Sequence, residues 1–109
     1  SQAFAGESRT EITSAYPHWF APNFATTMPS VEQHQLLALL APRPLLVGHG
    51  DRDGWSDPIG ARAIREASSP VFAELGGEPP SHFIRPGGHG IHERDWEETL
   101  NFLDARMKR

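Results

Sequence analysis

The tightest constraint on this chain is a stretch that changes from apolar strand to acidic loop within a few residues. Ala41-Pro42-Arg43-Pro44 leads into Leu45-Leu46-Val47-Gly48-His49-Gly50, and then into Asp51-Arg52-Asp53-Gly54-Trp55-Ser56-Asp57-Pro58. Pro42 and Pro44 stop any helix ahead of them, because proline has no amide donor and its ring collides with the preceding turn. The short apolar run 45–49 suits a parallel strand covered on both faces. Gly48 and Gly50 break it, and a loop with Asp51, Asp53, Asp57 and Trp55 follows. In an open α/β sheet, functional groups gather at the carboxyl ends of buried strands, in loops of this kind.

The same grammar recurs further along. Residues 31–40 read as a largely buried helix, with Ser30 as N-cap, Gln33 as its capping partner and Leu36, Leu37, Leu39 and Leu40 densely apolar. A second helix starts at Pro58 or Ile59 with Asp57 as N-cap, and Ser68-Ser69-Pro70 interrupts or restarts it. Residues 81–84 form a weaker strand, and Arg85-Pro86-Gly87-Gly88-His89-Gly90 is a glycine-rich loop directly after it. Trp96, Leu100, Leu103 and Met107 recur at helical period in a last helix over 93–107. Residues 1–31 show no sustained periodicity and hold an aromatic cluster, Tyr16 to Phe20 with Phe24, that reads as loop-covering core or as a cleft wall. Alternation of helix and strand predicts an α/β fold with a parallel sheet and flanking helices. Two strands do not make a stable open sheet, so residues 1–109 are expected to form a partial domain, incomplete as a stand-alone sheet.

Composition removes several classes of function. A net charge of −4 with scattered Lys and Arg is the wrong sign for nucleic acid. No apolar run reaches the roughly 18 residues of a membrane span. The absence of Cys excludes disulfides and thiolate metal sites. The best available metal set is His89 and His92 with Asp95, a poor match to the fixed ligand spacing and supporting second shell of a metal site, so no metal is expected.

Two parallel strands end on the same side of a sheet, so Asp53 and His89 are expected to emerge at one edge. A histidine acting as general base needs an acceptor on its other ring nitrogen, which fixes the tautomer and stabilises the imidazolium. Asp53 can serve as that acceptor, with Asp51 as the fallback and Asp57 better explained as a helix cap. Gly87, Gly88 and Gly90 let the loop turn sharply around His89. Each residue alone also reads as an ordinary loop residue; the pair, in acid-then-histidine order, matches the order Ser, Asp or Glu, His of α/β-hydrolases. No Gly-x-Ser-x-Gly elbow exists in the chain, and Gly6-Glu7-Ser8-Arg9-Thr10 lacks the flanking strand and helix that an elbow needs.

Longer words carry a more specific signal. Tyr16-Pro17-His18-Trp19-Phe20, Pro29 through His34, Leu37-Ala38-Leu39-Leu40-Ala41-Pro42-Arg43-Pro44-Leu45, Asp53-Gly54-Trp55-Ser56-Asp57-Pro58 and Arg85-Pro86-Gly87-Gly88-His89 resemble the C-terminal part of glucuronoyl esterases, carbohydrate esterase family 15, the bacterial members above all. The resemblance implies the C-terminal portion of an α/β-hydrolase fold. It also implies cofactor-free cleavage of the ester that joins glucuronic acid on xylan to lignin alcohols, in a secreted or periplasmic setting. His89 falls on the family's catalytic histidine, and Asp53 on the acid that some bacterial members carry. Other members use a Glu on an earlier strand, which the resemblance places ahead of Ser1. Trp55 falls on a tryptophan that contacts the sugar acid, and Glu7 on a sugar-binding Gln or Glu. The family's serine elbow and oxyanion-hole arginine have no counterpart here. Two other readings stand beside this one. The first is a different α/β-hydrolase, such as an acetyl esterase or a peptidase. The second is a catalytically inactive module that self-associates or binds a completing N-terminal part.

Overall fold

Strands β1 (Leu46–Gly50) and β2 (Ser81–Arg85) pair in parallel, with Leu46 opposite Ser81, Gly48 opposite Phe83 and Gly50 opposite Arg85. They form a two-stranded sheet in the computed structural model, which describes residues 9–27 and 30–107. Among the described residues four helices accompany the strands: α1 (Arg9–Ala15), α2 (Gln33–Ala38), α3 (Pro58–Glu74) and α4 (Glu93–Met107), with a 3₁₀ turn at Pro17–Trp19. Helix α3 makes the crossover between the strands, as the alternating pattern requires.

The start of α3 is set locally. Asp57 stands at its N-cap with a left-handed backbone, φ 48°, and accepts a hydrogen bond from the Gly60 amide at 3.0 Å, while Pro58 occupies the first turn. The expected break at Ser68-Ser69-Pro70 is absent: the helix runs on to Glu74 with Pro70 inside it. The hydroxyls of Ser68 and Ser69 both bond the Arg65 carbonyl, at 3.0 and 2.8 Å, and hold the turn that the proline weakens. Beyond it, Phe72 is fully buried, so packing continues the helix where local preference would end it.

Phe72 is the single buried hydrophobic residue among those described. Helix α2 corrects the expectation of a largely buried element. It begins at Gln33, capped by a reciprocal box between Glu32 and Gln35 rather than by Ser30, and its Leu36 and Leu39 are 48% and 73% exposed. It packs against α3; Leu37 and Ala38 are half-buried, and Leu36, Leu39 and Leu40 are exposed. Helix α4 has the predicted bounds, but its half-buried positions are Asp95, Glu98, Thr99 and Phe102, and Leu100, Leu103 and Met107 stay exposed. Residues 9–27 are not structureless. Beyond α1, Tyr16 stacks on Trp19 and Phe20 on Phe24, and of these Tyr16, Trp19 and Phe24 are exposed while Phe20 is half-buried.

Because apolar burial is concentrated at one side chain, substitutions should split sharply. Phe72→Ala is expected to cost about 3–5 kcal/mol, and Leu100→Ala on the exposed face of α4 about 0.5 kcal/mol or less. Urea unfolding followed by circular dichroism measures both.

Candidate active site

Both strands end at one edge of the sheet, and there the two loops are stitched together. The Asp51 amide donates to the Arg85 carbonyl at 2.8 Å, and the Arg52 amide to the Gly87 carbonyl at 3.0 Å. The approach is close because residue 50 has no side chain. A Cβ there would sit 2.4 Å from the Gly87 carbonyl oxygen. On the other loop, Gly87 and Gly90 take φ values of 119° and 128°, a region that side-chain-bearing residues rarely enter.

Asp53 and His89 meet at this edge. Nδ1 of His89 lies 3.2 and 3.1 Å from the two carboxylate oxygens of Asp53. Asp53 is buried, at 4% exposure, whereas the His89 side chain is 60% exposed. The loop of Asp53 wraps its own carboxylate: the Trp55 and Ser56 amides donate to Oδ1 at 3.2 and 3.0 Å. Burial by itself disfavours the charge. The Ser56 amide, the His89 ring and the Ser56 hydroxyl outweigh it, and the Asp53 carboxyl ionises below its ordinary range. With the carboxylate as acceptor, Nδ1 is the nitrogen that carries a proton, and in the neutral ring Nε2 is then the one with the lone pair. Nε2 has no hydrogen-bond partner among the described residues.

Ser56, which the sequence reading passed over, joins this pair. Its Oγ lies 3.2 Å from Nδ1 of His89 and its amide donates to Asp53 Oδ1 at 3.0 Å, so one residue touches both members. Its position three residues after Asp53, in a turn that folds back on the carboxylate, is the signal that could have found it. A cavity of about 500 Å³ opens beside the pair, lined by Asp53, Ser56 and His89 and by Phe83, Ile91 and Trp96.

The other candidates fall elsewhere. Asp51, the fallback acid, is not at His89; its carboxylate accepts the Gly87 amide at 2.8 Å. Trp55 is exposed on the acid loop and is not part of the cavity wall. Glu7 lies outside the described residues. Asp95, considered with His89 and His92 as a metal set, is held by Arg85 at 2.6 Å, and no group of three His, Cys, Asp or Glu among the described residues is arranged to hold a metal. No described helix is long and apolar enough to cross a membrane. Beneath the edge, His49 and His82 sit with ring centroids 5.0 Å apart, and both nitrogens of His49 and Nε2 of His82 are buried without a partner. Burial lowers the pKa of both rings.

Comparison with known proteins gives this geometry a family. No family model matches the chain. Carbohydrate esterase MZ0003, from an unidentified prokaryote, is 32% identical over 94% of this chain and 28% of its own length. A 4-O-methyl-glucuronoyl methylesterase 1 from Wolfiporia cocos is 30% identical over 65% of this chain and 19% of its own. Among solved structures, a promiscuous CE15 esterase from a marine bacterial metagenome superposes with a TM-score of 0.81 at 30% identity, over 94% of this chain and 31% of that one. A glucuronoyl esterase from Solibacter usitatus gives 0.74, also at 30% identity, over 89% of this chain and 30% of that one. The chain therefore has the fold of part of an α/β-hydrolase. It is a homologue of the CE15 carbohydrate esterases, the glucuronoyl esterases among them, and spans less than a third of the length of these relatives.

The titrating groups set a direction for stability against pH. His49 and His82 have folded pKa values below the ordinary 6.5, so the unfolded chain takes up protons that the folded chain refuses as pH falls below 6.5. Asp53 and Asp95 are held below the ordinary 3.8, and their contribution, intact above that value, is lost as pH falls through their folded values. Urea midpoints should thus decline from pH 7.5 to 5. The His49→Gln, His82→Gln double variant should flatten that limb and leave the steeper loss below pH 4.

Proposed function

We propose that this chain supplies the acid and the histidine of a serine carboxylic-ester hydrolase that acts on glucuronoyl esters. The observation that supports the reading best is the buried Asp53 carboxylate on Nδ1 of an exposed His89 whose Nε2 is unengaged. In this reading a serine on the part of the hydrolase that precedes Ser1 approaches Nε2. His89 takes the serine proton as the oxygen attacks the ester carbonyl, and Asp53 stabilises the imidazolium through Nδ1–H. His89 then returns that proton to the departing alcohol. In the second half it takes a proton from water, which cleaves the acyl-enzyme and restores the serine.

The substrate class rests on the relatives, two of which are glucuronoyl methylesterases. The ester between 4-O-methyl-glucuronic acid on xylan and a lignin alcohol is the substrate proposed here. Trp55 and Glu7 are proposed to contact the sugar acid.

Two measurements test the reading. The reading frame ahead of Ser1 should encode a Gly-x-Ser-Arg-x-Gly elbow, and its absence would sink the proposal. In the protein expressed from that whole frame, His89→Ala and Asp53→Asn should each lower turnover of benzyl glucuronate by about 10³–10⁴-fold. Unchanged turnover in His89→Ala would remove the histidine from the reaction, and activity on acetyl esters alone would move the protein to another class of esterase.

A further inference from the structure

Arg85 ends β2 and looks, in sequence, like a surface cation. It is 3% exposed. Its guanidinium lies inside the glycine-rich loop that carries His89, and its donors go to that loop. Nη1 donates to the Gly88 carbonyl at 3.1 Å and, more weakly, to that of Pro86 at 3.5 Å, while Nη2 donates to the Gly90 carbonyl. Nε donates to Asp95 Oδ2 at 2.6 Å. The two carbonyls that flank His89 in the chain are therefore both fixed on one rigid, planar cation. Asp95 in turn accepts the His92 amide at 2.7 Å, tying the far end of the loop to the start of α4.

An ion pair buried this deeply is weak evidence for stability, because taking both charges out of water offsets most of their attraction. What this pair does uniquely is select one path for a loop that contains three glycines and could take many. We propose that Arg85 is the positioning residue for His89: with Asp95 it forms an internal template that aims the imidazole at Asp53. The role in catalysis rests on the function proposed above; the geometric role does not. Asp51 acts from outside on the same loop through the Gly87 amide, which leaves Arg85 to set the segment from Gly88 to Gly90.

The test reads the imidazole directly, by long-range ¹H–¹⁵N correlation spectra of the ¹⁵N-labelled chain, with amide exchange in β1 and β2 as the check on the fold. The native chain should show His89 protonated at Nδ1 with Nε2 bare. Arg85→Met should keep strand protection yet lose that single tautomer and shift the Gly88 and Gly90 amides. Arg85→Lys, which keeps a donor cation without the planar fork, should restore the tautomer in part. An Arg85→Met spectrum with His89, Gly88 and Gly90 unmoved would overturn the proposal. If Arg85→Met loses strand protection, Asp95→Asn decides: a broadened or mixed His89 tautomer supports the template, and a native His89 signal overturns it. In the protein from the whole frame, Arg85→Lys should lower kcat about tenfold and Arg85→Met about a hundredfold, with KM nearly unchanged, as expected for misplacement of a reacting group. A rise in KM at constant kcat would also overturn it. Full ester turnover in His89→Ala would defeat the hydrolase reading while leaving the spectroscopic result intact, so the two failures are distinguishable.

Discussion

The parallel register of β1 and β2 is the interaction on which the rest of the structure depends. With Gly50 opposite Arg85, both strands stop at the same level, and each hands its chain to a loop at the same edge. A slip of one residue would put a side chain where Gly50 now lets the Gly87 carbonyl approach, and would turn Arg85 out of the loop that it fills. The hydrogen bonds from Asp51 and Arg52 to the second loop then join the two segments into one surface. Asp53 and His89 are adjacent because their strands are, and the helix residue bonded to the loop-filling Arg85 is Asp95 at the start of α4.

Much of this was legible in the sequence, for identifiable reasons. Apolar runs that break at glycine mark strand ends, and parallel strands connected by a helix place their loops together. The juxtaposition of Asp53 and His89 follows from those facts. The N-cap role of Asp57 was equally readable, since a carboxylate directly before Pro58 suits a helix start. Arg85 was not. A guanidinium at a strand end is usually solvated, and only the three-dimensional path of the glycine loop reveals three carbonyls converging on it. Ser56 was hidden for a similar reason, because its contact with His89 spans 33 residues and depends on the turn around Asp53.

The helices show the opposite limit of sequence patterning. The leucines at 36–40 suggested a largely buried helix and are mostly exposed, whereas the stripe on α4 located that helix over Glu93–Met107. Periodicity says which surface gains from leaving water and not what covers it. Here the half-buried positions of α4 are Asp95, Glu98, Thr99 and Phe102, and Asp95 meets Arg85 at the end of β2 while the apolar stripe stays exposed. Pro70 teaches the converse: a residue that ordinarily ends a helix is overridden when Phe72 beyond it is seated in the core.

The hydrogen bond between Asp53 and His89 joins residues 36 positions apart. Between them lie the whole of α3 and the whole of β2, so the contact closes only after the crossover has been laid down and the second strand has docked. Closing a loop of that length costs chain entropy that the strand pairing and the loop-to-loop hydrogen bonds must offset. The acid–histidine pair is therefore a contact of long sequence separation that rests on the strand pairing and not on a local turn. Its formation reports that the topology is right, and a chain that has trapped a wrong register carries no half-site to misuse.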